Sequence, residues 1–149
     1  MTKKIGIAVL GCGFIAPKHL EACVADERCE LIAVCTRGPD WAEEVRAKYN
    51  AKKAYTDYHD VLNDPEVDAV SICLPTGMHA DYAVRAMEAG CHVLVEKPID
   101  ITVEKALMIE ETRKKTGKKV MRAPYGKVKS WYLKKVKDEQ VDESLIPAA

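Results

Sequence analysis

An α/β fold, a parallel sheet doubly wound with helices on both faces in a single domain, is predicted by three observations. Short apolar, β-branched runs recur at Ile5–Leu10, Glu30–Cys35, Val67–Leu74 and His92–Val95. Each is the length of a buried strand, and helical spacing of apolar residues fills the intervals between them. The first run leads into Gly11-Cys12-Gly13-Phe14-Ile15-Ala16, a G-x-G-x-x-A turn placed between a strand and a helix, with a second strand ending about 20 residues on.

The elements follow in order. After the first strand, Gly11 permits the tight turn, Gly13 leaves the backbone open to a pyrophosphate, and Ala16 lets the next helix pack closely on the strand. That helix opens at Ala16-Pro17, where a proline sacrifices no intrahelical bond, and presents Leu20, Cys23 and Val24 on one face. Its positive end is placed to attract phosphate. The second strand ends at Thr36-Arg37, and Gly38-Pro39-Asp40 breaks the chain. Asp40 is read as the cap of a helix through Lys48, with Trp41, Val45 and Tyr49 at helical spacing. A short strand at Lys53–Tyr55 and a short helix at Tyr58–Leu62 precede the fourth strand. Met78–Ala89 reads as a helix with Ala80, Ala83, Val84 and Met87 inward and Gly90 as its stop. His92–Val95 is a strand, Thr102 caps a helix to Thr116 that Gly117 ends, and Lys119–Met121 is the last strand. The cofactor domain is placed at residues 1–122, followed by a tail over 123–149.

Composition narrows the class. The chain has 149 residues, 48% hydrophobic and 31% charged, enough for one ordinary core. No apolar run approaches the length of a membrane span, and Met1-Thr2-Lys3-Lys4 leads straight into the first strand, so a cytoplasmic location is expected. The six cysteines include no C-x-x-C pair and read as small buried hydrophobes in a reducing compartment, with no metal site. The net charge of zero hides an asymmetry: residues 113–137 hold eleven Lys/Arg and no Asp/Glu, against twelve and twenty-three elsewhere. A solvated face and helix end is the preferred reading over a phosphate or nucleic-acid site, since few aromatics interleave with the charges.

Three later stretches particularise the fold. Leu74-Pro75-Thr76-Gly77-Met78-His79 closes the fourth strand, and Ala89-Gly90-Cys91-His92-Val93-Leu94-Val95 leads to Glu96-Lys97-Pro98. Together with the Gly11–Ala16 turn, they resemble the amino-terminal Rossmann domain of the Gfo/Idh/MocA oxidoreductases, over residues 3 to about 121. The resemblance implies that Gly11, Gly13, Phe14, Ile15 and Ala16 hold the pyrophosphate, and that Thr36 and Arg37 face the adenosine ribose. It implies further that Leu74, Pro75, Thr76 and His79 line the cofactor cleft. Glu96 and Lys97 then stand near the nicotinamide, Lys97 as the catalytic residue, and the Lys97–Pro98 bond is cis. Taken alone, His79 reads as a polar residue in the first turn of a helix; Lys97 can be read as a surface lysine before a proline turn, but a lysine closing a buried strand favours a functional reading. His19, His59 and His92 are read as structural.

Two departures from the family pattern matter. An NAD site usually places a carboxylate at the end of the second strand to accept bonds from the ribose. Here stand Thr36 and Arg37, which suit a 2′-phosphate, so NADP is the expected cofactor and NAD the alternative. The family's second α/β domain, which carries the substrate pocket and usually a catalytic histidine, has no counterpart before Ala149. Residues 123–149 are read as an altered tail or a remnant of that domain.

The leading expectation is therefore the cofactor domain of an NADP-dependent oxidoreductase acting on a sugar or cyclitol hydroxyl carbon. A non-catalytic nucleotide-binding module is second, and a nucleic-acid-associated protein using residues 113–137 third. Alone, the chain is expected to bind NADP(H), to self-associate into a homo-oligomer through apolar surface, and to turn over polyols negligibly.

Overall fold

The computed structural model describes residues 3–123. Six strands, β1 (Ile5–Leu10), β2 (Cys29–Cys35), β3 (Lys53–Tyr55), β4 (Ala69–Ile72), β5 (His92–Val95) and β6 (Val120–Arg122), form one sheet in the order β3-β2-β1-β4-β5-β6. Every neighbouring pair is parallel. The central strand explains why the first apolar run carries no polar alternation. Ile7 and Val9 enter one core with Leu20 and Cys23 of α1 (Ala16–Val24) and Val45 of α2 (Pro39–Tyr49). Ala8 and Leu10 enter the other, with Val61 of α3 (Tyr58–Leu62), Ala80, Ala83 and Met87 of α4 (His79–Glu88), and Ile109 of α5 (Val103–Thr116). A strand covered on both faces must be apolar at both parities.

The two halves of the sheet meet at β1, with β2 on one side and β4 on the other. The β1–β2 register steps by one residue, Ile7 facing Leu31 and Ala8 facing Ala33. Ile32 is the extra residue, and so Ile32 and its neighbour Ala33 both serve the same core.

Several elements differ locally from the sequence expectation. Val24 is 56% exposed because it lies about 100° round the helix from Cys23, off the buried stripe. Asp40 does not cap α2: Gly38 holds that position in extended conformation and Pro39 is already helical, leaving Asp40 in the first turn. Trp41 of the same helix is 47% exposed, while Ala42 and Val45 carry the packing. Val84 is only half-buried, Ala86 taking its place in the core of α4. A single 3-10 turn at Thr76–Met78 precedes α4, which begins at His79. Strand β4 is confined to Ala69–Ile72, and the last strand runs Val120–Arg122 rather than Lys119–Met121. Apart from Ala123, the tail expected over 123–149 lies outside the described residues, as does most of the basic stretch. Within that stretch, Arg113 and Lys114 pair with Glu110 on the same helix.

All six cysteines are free and buried. Burial pushes the Cys12 thiol up to about 11, so it is no thiolate at neutral pH. Among the described residues, no helix is long and apolar enough to cross a membrane.

One polar cluster ties β3 to the connection ahead of β4. The Asp64 carboxylate, its side chain 1% exposed, accepts from Lys53 Nζ at 2.7 Å, the Tyr55 hydroxyl at 3.0 Å and the Glu66 N–H at 3.0 Å. Burial opposes its charge, but these donors prevail and hold its carboxyl below the usual range. A depressed folded pKa stabilises the fold above the unfolded value, near 4, and that stabilisation is lost as pH falls through the folded value. We therefore expect Asp64→Asn to flatten the acid limb of stability below about pH 4. Urea midpoints measured from pH 6 down to pH 2.5 test this; an equally steep limb in the variant would refute it.

Candidate functional site

The strands end on one side of the sheet, and the loops leaving them enclose a cleft of about 870 Å³. It opens where β1 parts from its two neighbours, the position at which open α/β sheets bind ligands. Leu10 and the turn after β1 form its floor, Cys35, Thr36 and Arg37 one flank, and Cys73, Leu74 and Pro75 the other.

The turn is built by constraints that local sequence can express. Gly11 has φ +85°, and a Cβ there would stand 2.7 Å from the Cys73 carbonyl oxygen. Its N–H donates to Cys35 O at 2.8 Å, so β1, β2 and β4 converge on this residue. Gly13 is exposed, and its Cβ position has no heavy atom within 4 Å. Beyond it α1 begins with no side chain capping its first turn and no acidic residue there. An open backbone at Gly13 and the positive end of a helix that no side chain caps together suit the phosphates of a dinucleotide.

The cleft's lining includes Gly11, Gly13, Phe14, Ile15, Thr36, Arg37, Leu74 and Pro75 of the expected site residues. Phe14 stands 98% exposed at the rim. Ala16 is buried beneath the turn, packed with Val9 and Leu20 and not part of the cleft surface. Thr76, half-buried in the 3-10 turn, is also outside the lining. His79, assigned by the resemblance to the cleft wall, is 1% exposed. Its Nδ1 lies 2.8 Å from Pro98 O and its Nε2 2.8 Å from Leu74 O. The ring thus braces the loop after β5 against the loop after β4, beneath the surface rather than on it.

Glu96 and Lys97 follow β5 along the same edge, outside the lining of the cleft. Glu96 N–H continues the ladder to Ile72 O at 3.0 Å, Lys97 is exposed, and the Lys97–Pro98 bond is cis. The Glu96 carboxylate is buried against His19 Nε2 at 2.6 Å and accepts from the Lys97 N–H at 3.0 Å. Burial alone would raise its pKa, yet the contact with His19 and the Lys97 N–H keep it below the ordinary range.

Sequence reasoning missed a third wall. Thr56, Asp57, Tyr58 and His59, from the β3–α3 junction, and Met78, Tyr82 and Arg85 of the α4 region also line the cleft. Asp57 is committed to capping α3, its Oδ1 accepting from His59 N–H at 2.8 Å. Tyr58 fixes the wall by donating its hydroxyl to Tyr82 O at 2.8 Å.

This geometry agrees with what known proteins show. Residues 5–123 match the family described as an oxidoreductase family with an NAD-binding Rossmann fold. The chain belongs to the Gfo/Idh/MocA oxidoreductases. Inositol 2-dehydrogenase of Salmonella typhimurium is 36% identical over 123 residues, which are 81% of this chain and 36% of that protein. The 4-carboxy-2-hydroxymuconate-6-semialdehyde dehydrogenase of Sphingobium is 38% identical over 111 residues, 74% of this chain and 35% of the relative. Among solved structures, the 3-ketoreductase KijD10 of Actinomadura kijaniata, in complex with NADP, superposes with a TM-score of 0.77 at 30% identity. The match covers 80% of this chain and 38% of that one. The WlbA dehydrogenase of Chromobacterium violaceum, in complex with NADH and UDP-GlcNAcA, also superposes at 0.77 and 30% identity, over 82% of this chain and 35% of that one. The chain thus spans about a third of the length of the relatives it matches, and that third is their NAD(P)-binding Rossmann domain.

Proposed function

We propose that this domain binds NADP(H) in preference to NAD(H), as the cofactor half of an oxidoreductase acting on a sugar or cyclitol hydroxyl carbon. The observation that carries the cofactor choice is the end of β2, where Thr36 and Arg37 line the cleft with no carboxylate beside them on that strand end. A hydroxyl and a guanidinium suit a 2′-phosphate; among the described residues the one carboxylate in the lining, Asp57, already caps α3. Arg85 adds a second guanidinium to the same cleft.

The nicotinamide supplies the hydride chemistry when bound, and the chain supplies position and charge. Gly11 shapes the turn, Gly13 admits the pyrophosphate, and the first turn of α1 receives it. Lys97, exposed at the end of β5, polarises the substrate oxygen or carries its proton. The substrate class rests on the inositol dehydrogenase, whose name identifies a cyclitol, and on the WlbA dehydrogenase, solved with the sugar nucleotide UDP-GlcNAcA.

Calorimetry with both cofactors is the test. Arg37→Ala is expected to weaken NADPH by roughly tenfold or more, the worth of a charge-assisted hydrogen bond, and to leave NADH unchanged. NADH bound as tightly as NADPH by the unaltered chain would overturn the cofactor assignment.

A further inference from the structure

A buried chain of polar groups runs from the sheet to the loop that carries the lysine. Ser71 of β4, 1% exposed, has its Oγ 2.8 Å from His19 Nδ1. His19, in the second turn of α1, reaches Glu96 Oε1 through Nε2 at 2.6 Å. The other carboxylate oxygen of Glu96 accepts the Lys97 N–H at 3.0 Å. An ionised carboxylate only accepts, so Nε2–H donates to it, and the Ser71 hydroxyl, able to donate or accept, partners Nδ1. Every member is buried except the Lys97 backbone at the end of the chain. Buried networks that are fully satisfied rigidify what they hold.

We infer that His19 is a positioning residue for Lys97, acting through Glu96. Burial of an ionised carboxylate is costly without partners, so His19 determines where the Glu96 side chain can lie. That carboxylate in turn fixes the peptide from which Lys97 projects. Because His19 sits on the helix whose first turn faces the cleft, the seat of the cofactor and the base of the lysine share one support. The catalytic meaning of this support rests on the oxidoreductase reading above; its geometry does not.

Amide hydrogen exchange followed by NMR on the 149-residue chain, without cofactor, tests the inference. His19→Ala is expected to speed exchange at the Lys97 amide by about tenfold or more, leaving Val9 and Ile109 unchanged. His19→Gln, whose terminal NH₂ can replace the Nε2–H donor, is expected to recover most of the protection. Glu96→Gln, which keeps the shape but loses one of the two acceptors, is the second variant and should also expose Lys97. An unchanged Lys97 rate in both His19→Ala and Glu96→Gln, or an acceleration shared equally by Val9 and Ile109, would overturn the inference. So would a His19→Gln chain as fast as His19→Ala. A separate NADPH titration of the unaltered chain reports on the functional reading alone, so the two can fail independently.

Discussion

Replacing Gly13 by valine is expected to lower NADPH affinity by about a hundredfold or more while changing stability by less than about 1 kcal/mol. The two halves of that expectation come from the same observation. No heavy atom lies within 4 Å of the Cβ position, and Gly13 is not among the glycines with positive φ, so the chain itself accommodates a side chain there. The same empty space is the approach to the uncapped first turn of α1. An isopropyl group would stand between the phosphates and the positive end of α1 that attracts them, and would keep the pyrophosphate off the backbone. Calorimetry and urea unfolding of the variant separate the two effects. Retained affinity with an unchanged unfolding midpoint would mean that the cofactor does not use this turn.

What was legible in the sequence, and what was not, divides along a physical line. The Gly11–Ala16 turn is readable because its requirements are local: a positive φ, an open backbone and a small residue under the helix. The strands are readable because burial on both faces leaves continuous apolar runs such as Ile7–Leu10. The third wall of the cleft is not local in this sense. Thr56 to His59 reach it only because β3 lies beside β2, and Tyr82 and Arg85 only because α4 packs across the opposite half of the sheet. No spacing in the chain announces either juxtaposition. His19 is the sharpest case. It sits at helical spacing with Ala16 and Cys23, so it reads as a residue of the packed face. Its ring nevertheless meets a carboxylate 77 positions away, a partner that only the order of the strands supplies. His79 shows the complementary limit: its motif places it at the cleft, while the two backbone carbonyls beside its ring, at 2.8 Å each, are visible only in the fold.

The largest loss of stability is expected from Gly6→Ala, a one-carbon change in β1. A Cβ at Gly6 would stand 1.8 Å from the carbonyl oxygen of Glu66 and 3.0 Å from Ile32 Cγ1. The first of these is backbone, so no rotamer change can relieve it. The segment ahead of β4 is laid directly on β1 here: Asp68 N–H donates to Gly6 O at 2.8 Å, and Gly6 N–H donates to Asp68 Oδ2 at 2.8 Å. Admitting a methyl group requires this segment to lift, which strains both bonds and disturbs the Lys52 and Lys53 pairs to Glu66. Overpacking typically costs about 1–3 kcal/mol and each lost hydrogen bond about 1 kcal/mol, so a total of about 3–5 kcal/mol is expected. Against the usual 5–15 kcal/mol of a whole domain, that is a large fraction. Asp68→Ala removes the side-chain bond without the clash and should cost about 1–2 kcal/mol. The double variant should cost less than the sum, because a segment already lifted by the methyl group has no bond left for Asp68 to lose. Urea unfolding of the two single variants and the double variant measures all three. A Gly6→Ala unfolding free energy within about 1 kcal/mol of the unaltered chain would show that the Glu66–Asp68 segment moves aside freely and does not clamp β1.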